Sequence, residues 1–282
     1  MNESLPAAAA APAEPAADAR PKKKQDSFVV FLIKLAVIVL VFRTFIFTSF
    51  MIPSESMMPR LLVGDYLFAA KWPYGYSRAS LPIDSAMVGD GRLFGGLPER
   101  GDVVIFKHPI DRVDYVKRVI GVPGDTVQMV AGQLVLNGTP VPKVRTADFV
   151  LPTTAGKGCG RGQDEFTRRS AAGEFSCHFP QYRETLPNAV SYNVLDTGLI
   201  DKDTTPPVIV PEGRLFLMGD NRDHSADSRF PAVAGQGVDL VPVDNVAGRA
   251  SFMFFSTDGS AEWIKPWTWF TAARWERIGR GI

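Results

Sequence analysis

Histidine is scarce in this chain: three residues in 282, at His108, His178 and His224. The G-x-S-x-G elbow is absent as well, which removes the usual sequence mark of a Ser-His-Asp hydrolase. There are only two cysteines, and they do not form a C-x-x-C pair. Without H-E-x-x-H or a phosphate-cradling Gly-rich loop, zinc hydrolysis and nucleotide chemistry have no support. A formal net charge of +1 gives no case for a nucleic-acid partner or any other polyanion. No internal repeat is visible, and no long segment of helical period follows residue 47.

The N-terminal part is better defined. Residues 1–26 are Ala/Pro-rich, cannot bury enough apolar surface to fold, and are expected to form a disordered cytoplasmic tail. Lys22-Lys23-Lys24 closes that tail. Residues 27–47 are a Phe/Val/Leu/Ile-rich run in which Lys34 and Arg43 are the charges. About 20 residues rise roughly 30 Å as a helix, enough to cross the hydrocarbon core. Lys34 is the weak point, since a charge near the midplane costs on the order of 3 kcal/mol on insertion scales. Large residues fill Thr44 to Phe50 where a cleaved signal would carry small ones, so an uncleaved, single-pass signal anchor is expected. The lysine run places the N-terminus in the cytoplasm and everything after the span in the periplasm or outside.

The exported part is expected to be mainly β. Short β-type runs recur at Asp65–Ala70, Asp102–Lys107, Tyr115–Gly121, Val127–Val130, Leu134–Leu136, Arg214–Met218 and Val246–Phe255. Between Val141 and Pro211 apolar density falls and Gly, Arg and Thr rise. This gives a core in two parts, 48–140 and 212–282, around an inserted β/loop subdomain at 141–211. Both cysteines, Cys159 and Cys177, lie in that insert. In an oxidising compartment they most simply form one disulfide. Free thiols are an alternative, and a metal site with His178 and His108 would need a spacing that no common site uses. Near the C-terminus stand Trp263, Trp267, Trp269 and Trp275, which suit either core packing or contact with a membrane interface.

Directly after the apolar run comes Pro53-Ser54-Glu55-Ser56-Met57-Met58-Pro59, two serines in a proline-bounded loop. With no histidine nearby, a serine there needs another base, and a neutral lysine amine is one. Lysine in water has a pKa near 10.4, so roughly one amine in a few thousand is neutral at pH 7; burial shifts that balance by disfavouring the ammonium. Alternation in Asp114–Gly121 puts Lys117 on one strand face with Tyr115 and Val119, and Val116, Arg118 and Ile120 on the other. Arg118 does not deprotonate. Lys71 and Lys107 also end strand-like runs and stay candidates on pattern alone. A metal reading of Asp220, Asp223, His224 and Asp227 does not fit a calcium loop, because Arg222 and His224 stand where oxygen ligands are needed.

Four segments together carry a resemblance. They are Pro53–Pro59, Arg100–Lys107, Asp114–Asp125 and Gly219-Asp220-Asn221-Arg222-Asp223-His224-Ser225-Ala226-Asp227-Ser228-Arg229. In this order they resemble the signature boxes of bacterial type I signal peptidases. The resemblance implies a membrane-anchored serine endopeptidase of the bacterial inner membrane that removes signal peptides with a Ser/Lys dyad. By motif position Ser56 would be the nucleophile and Lys117 the general base. Ser54 would complete an oxyanion hole with the Ser56 backbone N–H, and Ser225 would hydrogen-bond the Lys117 amine. Asp227 and Arg229 would form a supporting ion pair, while Asp220 and Arg222 would shape the turn. Neither a cofactor nor a metal is implied. The implied partners are exported preproteins with Ala-x-Ala signal peptides, the lipid bilayer and the export translocase, with the enzyme as a monomer.

This chain departs from that pattern at Glu55, Arg60 and His224, and shows one span where the family often has two. The alternative is an inactive, membrane-tethered periplasmic β-domain that binds or scaffolds. Self-cleavage of a regulator by the same dyad would need a scissile segment and a DNA-binding domain, and neither is visible.

Overall fold

The computed structural model describes residues 27–81, 91–153, 158–160, 163–262 and 264–282. The expectations for the tail with Lys22–Lys24, and for Trp263, lie outside these residues. The chain divides into two compact units, Met1–Val39 and Leu40–Ile282.

Helix α1 (Phe28–Phe45) is the apolar run, and none of its residues is buried by the protein. Its mean hydropathy of 2.5 over 18 residues makes it long and apolar enough to cross a membrane. The helix stops short of the expected boundary. Phe47 already belongs to strand β1 (Phe47–Met51), paired antiparallel with β2 (Asp65–Ala70). Three more apolar residues, with only Thr48 and Ser49 between them, continue the helical run into the strand, so β1 has no separate signal in the sequence.

Seven strands form the main sheet. Besides β1 and β2 they include β3 (Val103–Lys107) and β4 (Asp114–Gly121). A hairpin of β5 (Thr126–Val130) and β6 (Gln133–Leu136), extended by β7 (Thr139–Pro140), leads away from it. Next come β8 (Lys143–Arg145), β9 (Phe149–Thr153), β10 (Thr167–Arg169), β11 (Phe175–Phe179), β12 (Gln181–Thr185) and β13 (Ser191–Leu195). The chain returns through β14 (Val208–Ile209), β15 (Arg214–Met218), β16 (Val241–Pro242) and β17 (Val246–Ser256), and ends after the short helix α2 (Trp267–Thr271). The main sheet runs β1-β2-β17-β3-β4-β15-β16. Two three-stranded sheets, β10-β11-β9 and β13-β12-β8, lie between, with β14 joining the β5–β7 hairpin.

The protein is therefore mainly β. The strands with dense β-branched and aromatic residues match the sequence expectation closely. Strands β8 to β13 were foreseen only as β/loop character, because short, half-exposed strands such as Thr-Arg-Arg in β10 carry few apolar residues. Apolar residues of this region nonetheless join the common core: Leu186 in the turn after β12, and Tyr192 and Val194 of β13, pack in one cluster with Ile120, Leu134, Phe216 and Met218. Cys159 and Cys177 are joined as a disulfide, packed against Met58, Leu62, Phe179 and Leu195.

Strand β4 is buried on both faces from Val116 to Gly121. Val116 faces Ile105, Met57 and Leu61. Tyr115 and Val119 face Val104, Phe106 and Leu217 on the other side. The alternation is real, but both sides are covered, so Lys117 and Arg118 are both drawn out of water.

Candidate active site

The Pro53–Pro59 loop connects β1 to β2 and is pinned by its methionines. Met57 and Met58 are buried, one in the cluster with Val103 and Ile105, the other against the disulfide. Within the loop Met58 N–H donates to Glu55 O (3.0 Å) and Leu61 N–H to Met57 O (2.9 Å). The Gly219–Arg229 segment holds it from outside. Asn221 N–H donates to Ser56 O at 3.1 Å, and Asn221 Nδ2 to Glu55 O at 3.2 Å. The fit is close at Gly219, where an added Cβ would lie 2.5 Å from both Ser225 Cβ and Ser56 O.

This packing brings Ser56 Oγ 2.6 Å from Lys117 Nζ, across 61 residues of sequence. Both side chains are buried. Burial pushes the Lys117 amine down to about 8 from 10.5; Asp227 and Asp220 oppose that shift and Arg229 adds to it. Ser54 Oγ lies 3.4 Å from Ser56 Oγ. A pocket of about 370 Å³ opens here, lined by Phe50, Ile52, Ile105, Tyr115 and Val116 beside Ser54, Ser56 and Lys117.

The other two lysines are now separable. Burial, helped by the Arg43 charge, also lowers the Lys71 amine to about 8. Its hydrogens, however, go to the carbonyls of Arg43 (2.7 Å) and Thr44 (3.3 Å). Lys107 is half-buried and pairs with Asp114 at 2.9 Å. Neither meets a serine hydroxyl.

Ser225 differs from its expected arrangement. Its Oγ is buried without a hydrogen bond, so the bond to the Lys117 amine expected from the resemblance is not formed. The amine points instead at Ser56. Asp227 and Arg229 are paired through two contacts of 2.9 Å, and Asp227 also accepts from Gly219 N–H at 3.0 Å. Burial alone would raise the Asp227 carboxyl, but Arg229 and the Gly219 hydrogen bond outweigh it and hold it below its ordinary value.

Asp220 and Arg222 are likewise each held in a buried ion pair. Asp220 takes both prongs of Arg118 at 2.7 and 2.6 Å. Arg222 grips Glu184 at 2.7 and 2.6 Å, and Tyr192 Oη donates to the same carboxylate at 2.9 Å. Glu184, Tyr192 and Asn221 were missed by sequence reasoning. Nothing marks Glu184 on its strand, whereas Asn221 stands inside a recognised segment and could have been suspected.

A mainly β protein whose buried serine hydroxyl meets a buried amine has the geometry of a serine hydrolase. The model of the family described as signal peptidase, peptidase S26, matches residues 25–255. The chain belongs to this family and is a serine endopeptidase. A signal peptidase I of Rickettsia typhi is 35% identical over 244 residues, covering 83% of this chain and 81% of the relative. That of Rickettsia bellii is 32% identical over 272 residues, 89% and 83% respectively. A solved signal peptidase I of Enterococcus faecalis aligns at 22% identity and a TM-score of 0.28, over 55% of this chain and 98% of that one.

Proposed function

We propose that this endopeptidase cleaves signal peptides from exported preproteins with Ser56 as nucleophile and Lys117 as general base. The observation that carries the reading is the 2.6 Å contact between Lys117 Nζ and Ser56 Oγ at a buried site that favours the neutral amine. Lys117 takes the Ser56 proton as the hydroxyl attacks the carbonyl at the end of the signal peptide, then returns it to the leaving amine. A water deprotonated by the same amine releases the acyl group. The developing oxyanion would be met by the Ser54 hydroxyl and the Ser56 N–H, which makes no hydrogen bond among the described residues.

The apolar pocket beside Ser56 suits small side chains of an extended peptide. Strand β1 is an edge of the main sheet and its Phe50 lines the pocket, so the peptide would pair with it by β-augmentation. Helix α1 would anchor the enzyme, with the N-terminus cytoplasmic and the catalytic body on the outer face, where exported preproteins arrive. Asp227–Arg229, Asp220 and Arg222 would support the site without touching substrate, and Ser225 would line its back.

The test uses purified enzyme in detergent with a precursor carrying an Ala-x-Ala signal peptide. Cleavage should vanish in Ser56→Ala and in Lys117→Ala. Full activity in either variant would overturn the assignment.

A further inference from the structure

A second cavity, of about 990 Å³, shares no lining residue with the pocket at Ser56. It is built from Arg60, just past the Ser56 loop, from the turn at Glu99–Val103, from β12 and β13, and from the terminal segment Arg277–Ile282. Seven arginines line it. Four have carboxylate partners: Arg100 with Asp125 at 2.5 Å, Arg118 with Asp220 at 2.6 Å, Arg277 with Asp65 at 2.5 Å, and Arg249 with Asp102 at 3.2 Å.

Arg60, Arg183 and Arg280 are different. All three are exposed, and among the described residues none has a carboxylate partner. Arg60 donates to Gly281 O at 2.8 Å, and Arg183 reaches Asn193 Oδ1 at 3.4 Å. Glu99 is the lining carboxylate without an ion pair among the described residues. Although Arg60 keeps contact with solvent, partial desolvation by the atoms crowded around it, then the charge of Arg118, hold its guanidinium below the ordinary value; Asp220 opposes them, and Arg277 and Arg280 add to the lowering. A positive surplus along the lining of a cavity is a recognition surface for carboxylates, which guanidinium groups bind in planar pairs.

The position of this cavity relates it to the reaction. Along β3, Ile105 lines the Ser56 pocket and Val103 lines the arginine cavity. Their partners on β4 are Val116 and Arg118, divided between the two spaces in the same way. Two residues along a strand are roughly 7 Å, so the spaces adjoin on one sheet face, with Met57 and Leu61 packed near Val103 and Ile105. The Ser56 pocket is apolar and suits the signal-peptide side of the scissile bond. A peptide continuing past Ser56 over this sheet face would come next to the arginine cavity.

We infer that the arginine cavity is a subsite for acidic residues of the polypeptide that follow the scissile bond, recognised by Arg60, Arg183 and Arg280. The inference rests on Ser56 and Lys117 being the reacting pair.

The test compares two precursors that differ only at the second to fifth residues after the cut, acidic in one and glutamine in the other. Wild-type enzyme should show a KM about threefold to tenfold lower for the acidic precursor, the range expected of three screened charge pairs. The ratio should shrink as salt is raised. It should collapse toward one in the triple variant Arg60→Gln, Arg183→Gln, Arg280→Gln, and survive in the triple Arg→Lys variant. Because a ratio is read, partial loss of folded enzyme does not mimic the effect.

A wild-type ratio near one, with Ser56→Ala inactive, would overturn the subsite alone. Cleavage retained in Ser56→Ala would overturn the site assignment and the subsite together. A ratio unmoved in the glutamine triple, with loss of binding to phosphatidylglycerol vesicles instead, would assign the cavity to lipid headgroups and overturn the peptide reading.

Discussion

Glu184 and Arg222 meet fork to fork in the protein interior, at 2.7 and 2.6 Å, with neither side chain open to solvent. This pair ties β12 to the turn that carries Asn221, which in turn holds the carbonyls of Glu55 and Ser56. Support for the Ser56 loop therefore passes through a strand far from any recognisable motif.

Removing one partner should be costly. Glu184→Ala leaves the Arg222 charge buried without compensation and deprives Tyr192 Oη of its acceptor. A loss of about 3–5 kcal/mol is expected for breaking such a pair, read from the urea midpoint of the detergent-solubilised enzyme. The double change Glu184→Leu with Arg222→Met should recover part of that loss, because no lone charge remains. A single variant as stable as the parent would show that the pair contributes nothing net.

Lys117 should set the pH dependence. In the proposed mechanism the neutral amine is the reactive form, and its folded value is about 8, so kcat/KM should rise through pH 8 and fall about tenfold per pH unit well below it. Stability carries its own sign. The folded value lies below the ordinary 10.5, so between about 8 and 10.5 the unfolded chain binds more protons than the folded one. Stability from this group should therefore increase with pH across that window. Lys117→Met should abolish this contribution, measured by denaturation at pH 8, 9 and 10. A stability slope unchanged by that substitution would contradict the assignment of the shift to Lys117.

Ser54 offers a separate reading of the oxyanion. Its Oγ is 3.4 Å from Ser56 Oγ, close enough to donate to an oxyanion formed on the attacked carbonyl. Ser54→Ala should lower kcat by about 10²- to 10³-fold, the typical loss of one such donor, with little change in KM. Ser54→Thr keeps a hydroxyl and should retain much of the rate. Equal losses in both variants would point to packing of the loop rather than to a hydrogen bond.

These residues also show how much was legible in the sequence. The β-rich body was readable wherever strands are dense in Val, Ile and Phe, as in β4 and β17, and the two serines stood out between prolines. Lysine was not. Lys71 and Lys117 both end up buried with amines near 8, and burial follows from tertiary packing that strand alternation does not encode. The 2.6 Å contact with Ser56 separates them. Ser225 was readable as a position but not as a contact, since its hydroxyl ends without a hydrogen bond. Glu184 was invisible because one acidic residue on a half-exposed strand usually faces water.

The Trp-rich end makes a last prediction. Core packing and interfacial contact were equally open for these residues, and around α2 several are strongly exposed: Ile264 at 85%, Phe270 at 68%, Trp267 at 65% and Trp275 at 57%. Phe270 and Trp275 stack at 6.2 Å, while Arg277 is turned inward to Asp65, so the outward surface here is the rings themselves. Exposed amphipathic rings suit the headgroup level of a bilayer, where an apolar face and an N–H donor are both satisfied. In vesicles, the intact protein should lose tryptophan fluorescence to lipids brominated near the headgroup, and Trp267→Phe with Trp275→Phe should remove much of that quenching. Cleavage of a membrane-inserted precursor should slow in Trp267→Ala/Phe270→Ala/Trp275→Ala, while cleavage of a short soluble peptide changes less. Quenching equal in wild type and in the phenylalanine pair would show that these rings stay in water.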